Sequence, residues 1–180
     1  MKKAIICSFV LLFSTFITLR SNAQAPNDNS FILSLSPQLC IPKGGFQTTH
    51  KKGWGGNIEM RYALSDRLRA VGAYGAMSYD GRQDPADPAQ GDYSAVITST
   101  YRAGLEYFVV GGLFVSGQAG VLKEIQAGVK SHGLTYCPAM GFEFGSGIYF
   151  SVVVKYEMSK VLNGQGQKIN TLGLSVVYHI

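Results

Sequence analysis

Residues 134–144 read Leu-Thr-Tyr-Cys-Pro-Ala-Met-Gly-Phe-Glu-Phe. Leu134, Tyr136, Pro138, Met140, Phe142 and Phe144 share one parity, and Thr135, Cys137, Ala139, Gly141 and Glu143 share the other. Strand side chains alternate between two faces, so this period of two predicts a strand with one large apolar face and one small polar face. The same rhythm continues downstream. Ile148, Phe150, Val152, Val154, Tyr156 and Met158 alternate with Tyr149, Ser151, Val153, Lys155 and Glu157. Leu172, Leu174, Val176, Tyr178 and Ile180 alternate with Thr171, Gly173, Ser175, Val177 and His179.

Working back toward the start, Phe31, Leu33, Leu35, Leu39 and Ile41 form one apolar face, and Trp54, Ile58, Met60, Tyr62 and Leu64 form another. Ala95, Ile97, Tyr101, Leu105 and Tyr107 oppose Thr98, Thr100, Arg102, Gly104 and Glu106, and Leu113, Val115, Ala119 and Val121 oppose Ser116, Gln118 and Gly120. Arg69 to Tyr79 is small on both faces, and here Val71, Met77 and Tyr79 are placed outward. Eight strands result. Ser65-Asp66-Arg67, Val109 to Gly112 and Gly145-Ser146-Gly147 read as tight turns. Pro42 to Gly53, Asp80 to Tyr93, Lys123 to His132 and Ser159 to Lys168 read as longer polar loops. Short and long connections therefore alternate, the plan of a barrel with short periplasmic turns and longer external loops.

Composition narrows the class. At 180 residues the chain holds one domain, two at most. Only 15% of residues are charged, against 22 Gly, 10 Tyr and 10 Phe. Disordered chains are charge-rich and aromatic-poor, and so much Gly opposes a helical protein. At the start, Lys2 and Lys3 precede an apolar run from Ile5 to Leu19, and Ser21-Asn22-Ala23 supplies small residues for a cut before Gln24. Residues 1–23 are thus expected to be a signal peptide, 24–29 an N-terminal periplasmic segment and 30–180 the barrel. Loss of Lys2, Lys3 and Arg20 leaves 13 basic residues of the original 16 against 11 acidic ones, a net charge of about +2. The basicity is mostly a targeting feature, and no nucleic-acid partner is expected.

Alternation alone does not separate a membrane barrel from a soluble one. A soluble barrel turns its apolar face inward and hydrates an outer face of Lys and Glu. Here the second face is Gly, Ser, Thr and Asn with few charges, which suits the crowded interior of an eight-strand barrel. Trp54, Tyr62, Tyr79, Tyr93, Tyr107, Phe144, Tyr156 and Tyr178 lie near strand ends, where aromatic girdles sit. The fold expected is all-β: an eight-stranded antiparallel transmembrane β-barrel.

On this architecture the chain resembles the small bacterial outer-membrane β-barrel superfamily that includes the OmpA transmembrane domain, OmpX and OmpW. The likeness spans essentially the whole mature chain. Its most specific part is the last strand, where Leu174, Val176, Tyr178 and Ile180 match the alternation of the family's terminal insertion signal. Ile180 stands where Phe is common, and Ser175 where Gly is often found. The resemblance implies a Gram-negative outer-membrane location, outer-membrane lipids and lipopolysaccharide as surroundings, and the barrel-assembly machinery as partner during insertion. A monomer is expected. Nothing follows Ile180, so tethering to peptidoglycan through an appended domain is not expected.

Candidate chemistry lies on the small face. Glu59, Arg61, Arg102, Glu106, Glu143, Lys155 and Glu157 point inward by parity. Up-and-down strand counting puts Arg61, Arg102, Glu106 and Glu143 in the periplasmic half, and Lys155 and Glu157 near the external end. Unpaired buried charge is strongly unfavourable, so an ion-pair network is expected. Cys40 and Cys137 lie on the first and sixth strands, too far apart round a ring of this spacing to be bridged.

No cofactor, metal cluster or catalytic group is expected. His50, His132 and His179 are scattered, Ser131 and His132 are adjacent on opposite sides of an extended chain, and His179 has no Ser at a suitable spacing. Lys43, His50, Lys51 and Lys52 make the first external loop basic, and Asp80, Asp84, Asp87 and Asp92 make the second acidic. A basic loop is drawn to anionic lipid. The expected role is structural or surface interaction through external loops. The alternatives are a narrow transport barrel for small or apolar solutes, or a soluble exported barrel binding a small ligand.

Overall fold

A computed structural model describes residues 31–83, 92–144, 150–162 and 167–180. The expected signal peptide and periplasmic segment lie outside the described residues. Eight strands form: β1 (Phe31–Lys43), β2 (His50–Ser65), β3 (Leu68–Gly81), β4 (Val96–Val110), β5 (Leu113–Gln126), β6 (Val129–Phe144), β7 (Phe150–Val161) and β8 (Lys168–His179). A short helix, α1 (Gly45–Thr49), joins β1 to β2. Each strand pairs antiparallel with the next, and β8 pairs with β1 to close the barrel. Closure leaves no sheet edge, so backbone N–H and C=O groups are satisfied within the wall, which a lipid-embedded sheet requires.

The exterior is apolar and the charges are inside, the reverse of a soluble barrel. Outward-facing Trp54, Tyr101, Leu105, Leu134, Met140 and Leu174 are exposed, while Glu59, Arg61, Arg102, Glu106 and Lys155 are buried. On β1 the outward stripe runs from Phe31 to Ile41. At about 3.3 Å per residue and a tilt near 45°, it covers about 25 Å along the barrel axis, the height of a membrane barrel's apolar band. Pro37 and Pro138 interrupt the wall locally: the β1–β8 ladder passes from Leu35↔Tyr178 to Gln38↔Ser175, and the β6–β7 ladder from Tyr136↔Met158 to Ala139↔Lys155. Proline has no N–H to donate, yet the register is unchanged on both sides of each gap.

Three expectations need correction. Val71, Met77 and Tyr79 point into the barrel, not out; Tyr74 holds the outward parity of β3. The neighbouring strands fix this, because Tyr79 pairs with Gly53 and Val96 and Met77 pairs with Gly55 and Thr98, all inward positions. Gly53 is what makes room: a Cβ there would collide with the Tyr79 ring.

The segment from Lys123 to His132 is also not a long loop. β5 and β6 continue in register through Lys123↔His132 to Gln126↔Val129, and Ala127 and Gly128 make a two-residue turn. Both turn residues have positive φ (48° and 81°), the backbone of a tight hairpin that matches strand twist. Polar side chains are compatible with a strand once it leaves the apolar layer, so polarity there did not signal a loop. The first external connection is likewise shorter than expected, since β1 runs to Lys43 and β2 starts at His50.

The interior is layered. Toward the α1 end, Cys40, Phe46, Met77, Tyr79, Val96, Leu122, Val161 and Ile169 pack as an apolar cluster. Toward the end holding both termini, Phe114, Val153 and Val177 pack with Phe108 and Ala139. Charged side chains occupy the space between and beside them.

Candidate functional site

The lumen carries a continuous ionic path. Lys155 Nζ lies 3.5 Å from Glu59 Oε1, and Glu59 Oε2 lies 2.7 Å from Arg61 Nη2. Arg61 Nε faces Glu106 Oε2 at 3.4 Å, Arg69 Nη1 faces Glu106 Oε1 at 3.5 Å, and the same Arg69 nitrogen donates to Glu143 Oε2 at 2.7 Å. A second pair, Arg102 Nη1 to Glu157 Oε2, is 2.6 Å long. Arg102 also donates to Gln118 Oε1 (3.2 Å), Thr100 Oγ1 (3.0 Å) and Asn57 Oδ1 (2.8 Å). Asn57 Nδ2 then donates to Gln38 Oε1 at 2.6 Å, and Thr135 Oγ1 donates to Glu157 Oε1 at 3.3 Å. Glu59, Glu106, Glu143 and Glu157 thus face Arg61, Arg69, Arg102 and Lys155, and the formal charges cancel.

All seven residues expected to point inward are brought into this belt, but not in the expected halves. Lys155 reaches Glu59 and Glu157 reaches Arg102, so β7 supplies partners to β2 and β4 rather than a separate pair near the loop end. Strand tilt and stagger are the reason: position along a strand is not height along the barrel axis. Arg69 was missing from the sequence-based set because it lies on the strand of unclear parity. Glu124 was missing because its segment read as loop; it is buried, and its Oε1 accepts no hydrogen bond among the described residues.

His179 also differs from expectation. It has two serine partners, Ser34 Oγ at 2.9 Å from Nδ1 and Ser151 Oγ at 2.7 Å from Nε2. These contacts join strands far apart in sequence, which no local spacing reveals. Both serines are fully buried, and Glu143 approaches Nε2 at 4.0 Å, the nitrogen already facing Ser151. Relative to Ser34 that carboxylate is on the opposite ring nitrogen, as a nucleophile–base–acid relay would want, but 4.0 Å is beyond hydrogen-bond distance, and Arg61 Nη1 already lies 2.8 Å from Ser34 Oγ and 3.0 Å from His179 Nδ1. The cluster packs the lumen floor. Cys40 and Cys137 are free and buried.

The two mouths differ. At the terminus end an open depression of about 600 Å³, lined by Asp66, Arg67, Phe108 and Val109 among others, reaches Arg69 and Glu143. At the loop end α1 folds inward and buries Phe46, which stacks on His50 at 4.3 Å and meets Tyr79 edge-on at 5.1 Å. Beside it a depression of about 480 Å³ is lined by Gly45, Phe46, Thr49, Gln167, Lys168 and Asn170.

No family model matches the chain, and no curated protein matches it in sequence. Its architecture does have solved counterparts. Ail, the attachment invasion locus protein of Yersinia pestis, in complex with the heparin analogue sucrose octasulfate, superposes with a TM-score of 0.60 at 15% identity, over 86% of this chain and 100% of that one. The N-terminal β-barrel domain of Pseudomonas aeruginosa OprF gives 0.56 at 13% identity, over 84% and 99%. Neisserial surface protein A gives 0.54 at 12% identity, over 86% and 99%. At these identities the likeness is one of fold. The chain therefore shares the closed antiparallel barrel fold of these proteins.

Proposed function

We propose that this chain is an exported, integral outer-membrane protein of a Gram-negative cell. Its barrel is a closed anchor, and its role is structural or one of surface interaction at the loop end. The observation that carries this reading is the ionic path from Lys155 to Glu143, which fills the lumen with side chains that satisfy one another. An eight-strand barrel has room for side chains and little else. Phe46 adds an apolar stopper above that belt.

The exterior supports membrane residence. An apolar surface that encircles the molecule far exceeds the few hundred Å² a soluble monomer tolerates. Residues 1–23 act as the export signal, and the outward row Leu174, Val176, Tyr178 and Ile180 on and beside β8 serves as the strand read during insertion by the barrel-assembly machinery. The protein works as a monomer among outer-membrane lipids and lipopolysaccharide, without enzymatic activity. That Ail, a barrel of the same fold, was solved in complex with the heparin analogue sucrose octasulfate is in keeping with a role in surface interaction.

Conductance separates anchor from transporter. Folded protein in planar bilayers is expected to be electrically silent and to give no solute flux in liposome swelling. Reproducible flux of a small solute would replace the anchor reading with the transport one.

A further inference from the structure

At the loop end, each lipid-facing stripe from β5 round to β1 passes from apolar residues to bare cations. On β5, Val121 is followed by Lys123; on β6, Leu134 by Lys130 two places beyond His132; on β7, Met158 by Lys160. On β8, Leu172 is followed by Asn170 and Lys168, and on β1, Ile41 by Lys43. One lysine pair sits directly opposite across the ladder, Lys160↔Lys168. Lys43 pairs with Asn170 and is therefore the diagonal neighbour of Lys168. Directly opposed residues have Cβ atoms about 5 Å apart, and like charges there repel.

None of these cations pairs with a carboxylate among the described residues; on the outer surface only Lys51 does so, with Asp92 at 3.7 Å. In the lumen the same chain neutralises every Arg and Lys with an acid. The contrast points to a negative partner outside the protein. The opposite arc mixes signs, with Asp80 and Asp92 among Lys51, Lys52 and Arg82, whereas no acid lies among the cations of the β5–β1 arc's outward stripes.

We infer that the arc centred on Lys160, Lys168 and Lys43 binds the phosphorylated saccharide headgroup of an outer-leaflet glycolipid. The reading rests on the outer-membrane location proposed above and assigns that surface its partner. Position selects a lipid over a soluble polyanion: the lysines begin where the apolar stripes end, at headgroup level, so acyl chains lie on Leu172, Ile41 and Leu134 while phosphates meet the cations. The depression beside Lys168 adds Thr49, Gln167 and Asn170, whose hydroxyl and amides suit sugar hydroxyls.

The test uses full-length mature protein, folded in detergent and checked by heat-dependent gel mobility. Bis-phosphorylated lipid A and its dephosphorylated form are titrated against it, with retained lipid read by native mass spectrometry. Wild type is expected to prefer the phosphorylated form, and K160Q/K168Q to bind it about 25-fold more weakly, near fivefold per lysine. Lys51→Gln, already paired with an acid, is expected to bind as wild type does. Stability should cross over: without lipid, K160Q/K168Q is at least as stable as wild type because a repulsion is gone, and with phosphorylated lipid wild type is the more stable. Equal binding of both lipid forms, or unchanged affinity in K160Q/K168Q, would overturn the inference. So would binding of soluble sucrose octasulfate without preference for lipid, which would point to a saccharide ligand. Conductance of the same samples is independent: lipid failure with electrical silence leaves the anchor reading standing, whereas steady flux removes the anchor reading itself.

Discussion

Arg69 and Glu143, on strands three apart, meet in the lumen at 2.7 Å, and the Arg69 guanidinium lies 4.4 Å from the centre of the Phe108 ring. One side chain thereby closes the ionic path and covers an apolar ring at the terminus-end mouth. The Arg69 side chain keeps 17% exposure, whereas that of Arg102 keeps 1%, so the two should differ in cost when removed.

Arg102→Ala empties a fully buried guanidinium site and leaves half-buried Glu157 together with Gln118, Thr100 and Asn57 without their donor, and is expected to destabilise the barrel by about 3–5 kcal/mol. Arg69→Ala, at the wetter mouth, is expected to cost about 1.5–3 kcal/mol, the range for hydrogen bonds to charged groups. Urea unfolding in detergent, followed by the gel shift between folded and unfolded forms, checks the order. Equal costs would mean that burial does not govern this network.

The fit between Gly53 and Tyr79 predicts non-additivity. Gly53→Ala forces the Tyr79 ring from its place, an overpacking that typically costs 1–3 kcal/mol, about 2 kcal/mol being expected here. Combined with Tyr79→Ala the penalty should shrink, so the double variant loses clearly less than the sum of the singles. Strict additivity in the same unfolding assay would show that Tyr79 does not fill the space against Gly53.

Ala127 has a φ of 48°, in the left-handed region that L-residues avoid. Ala127→Asn places a residue that tolerates this backbone ahead of Gly128 and is expected to stabilise the β5–β6 hairpin by about 0.5–1 kcal/mol. A shift of the unfolding midpoint to higher denaturant checks it; a decrease would argue against the two-residue turn.

Phe46 and Cys40 belong to the same apolar cluster at the loop-end mouth. Phe46→Ala removes the stopper, and alkylation of Cys40 by a small maleimide is expected to accelerate at least tenfold, equivalent to about 1.4 kcal/mol in opening. Cys137 is absent from that cluster and should change less. Mass spectrometry of each cysteine peptide over time reads both rates. Unchanged labelling of Cys40 would mean that Phe46 does not seal the mouth.

Much of this was legible along the chain because an apolar exterior and a packed, largely polar lumen impose a strict period of two. The stretch of β6 from Leu134 to Phe144, with its large apolar residues on one parity, declared its faces directly. β3 did not, because the lumen is not uniformly polar: Met77 and Tyr79 fill an apolar layer under Phe46. The β5–β6 hairpin was misread because polar residues beyond the apolar band keep the strand ladder, so their polarity marks a change of surroundings and not of fold. Those two errors hid Arg69 and Glu124. The serine contacts of His179 depend on closure of β8 against β1 and β7, which no local pattern encodes.

Cell fractionation followed by gel mobility before and after boiling tests the central claim most directly. A closed, lipid-embedded barrel predicts recovery with the outer membrane and faster migration of the unboiled sample. Recovery as a soluble periplasmic protein, with identical mobility before and after boiling, would contradict it.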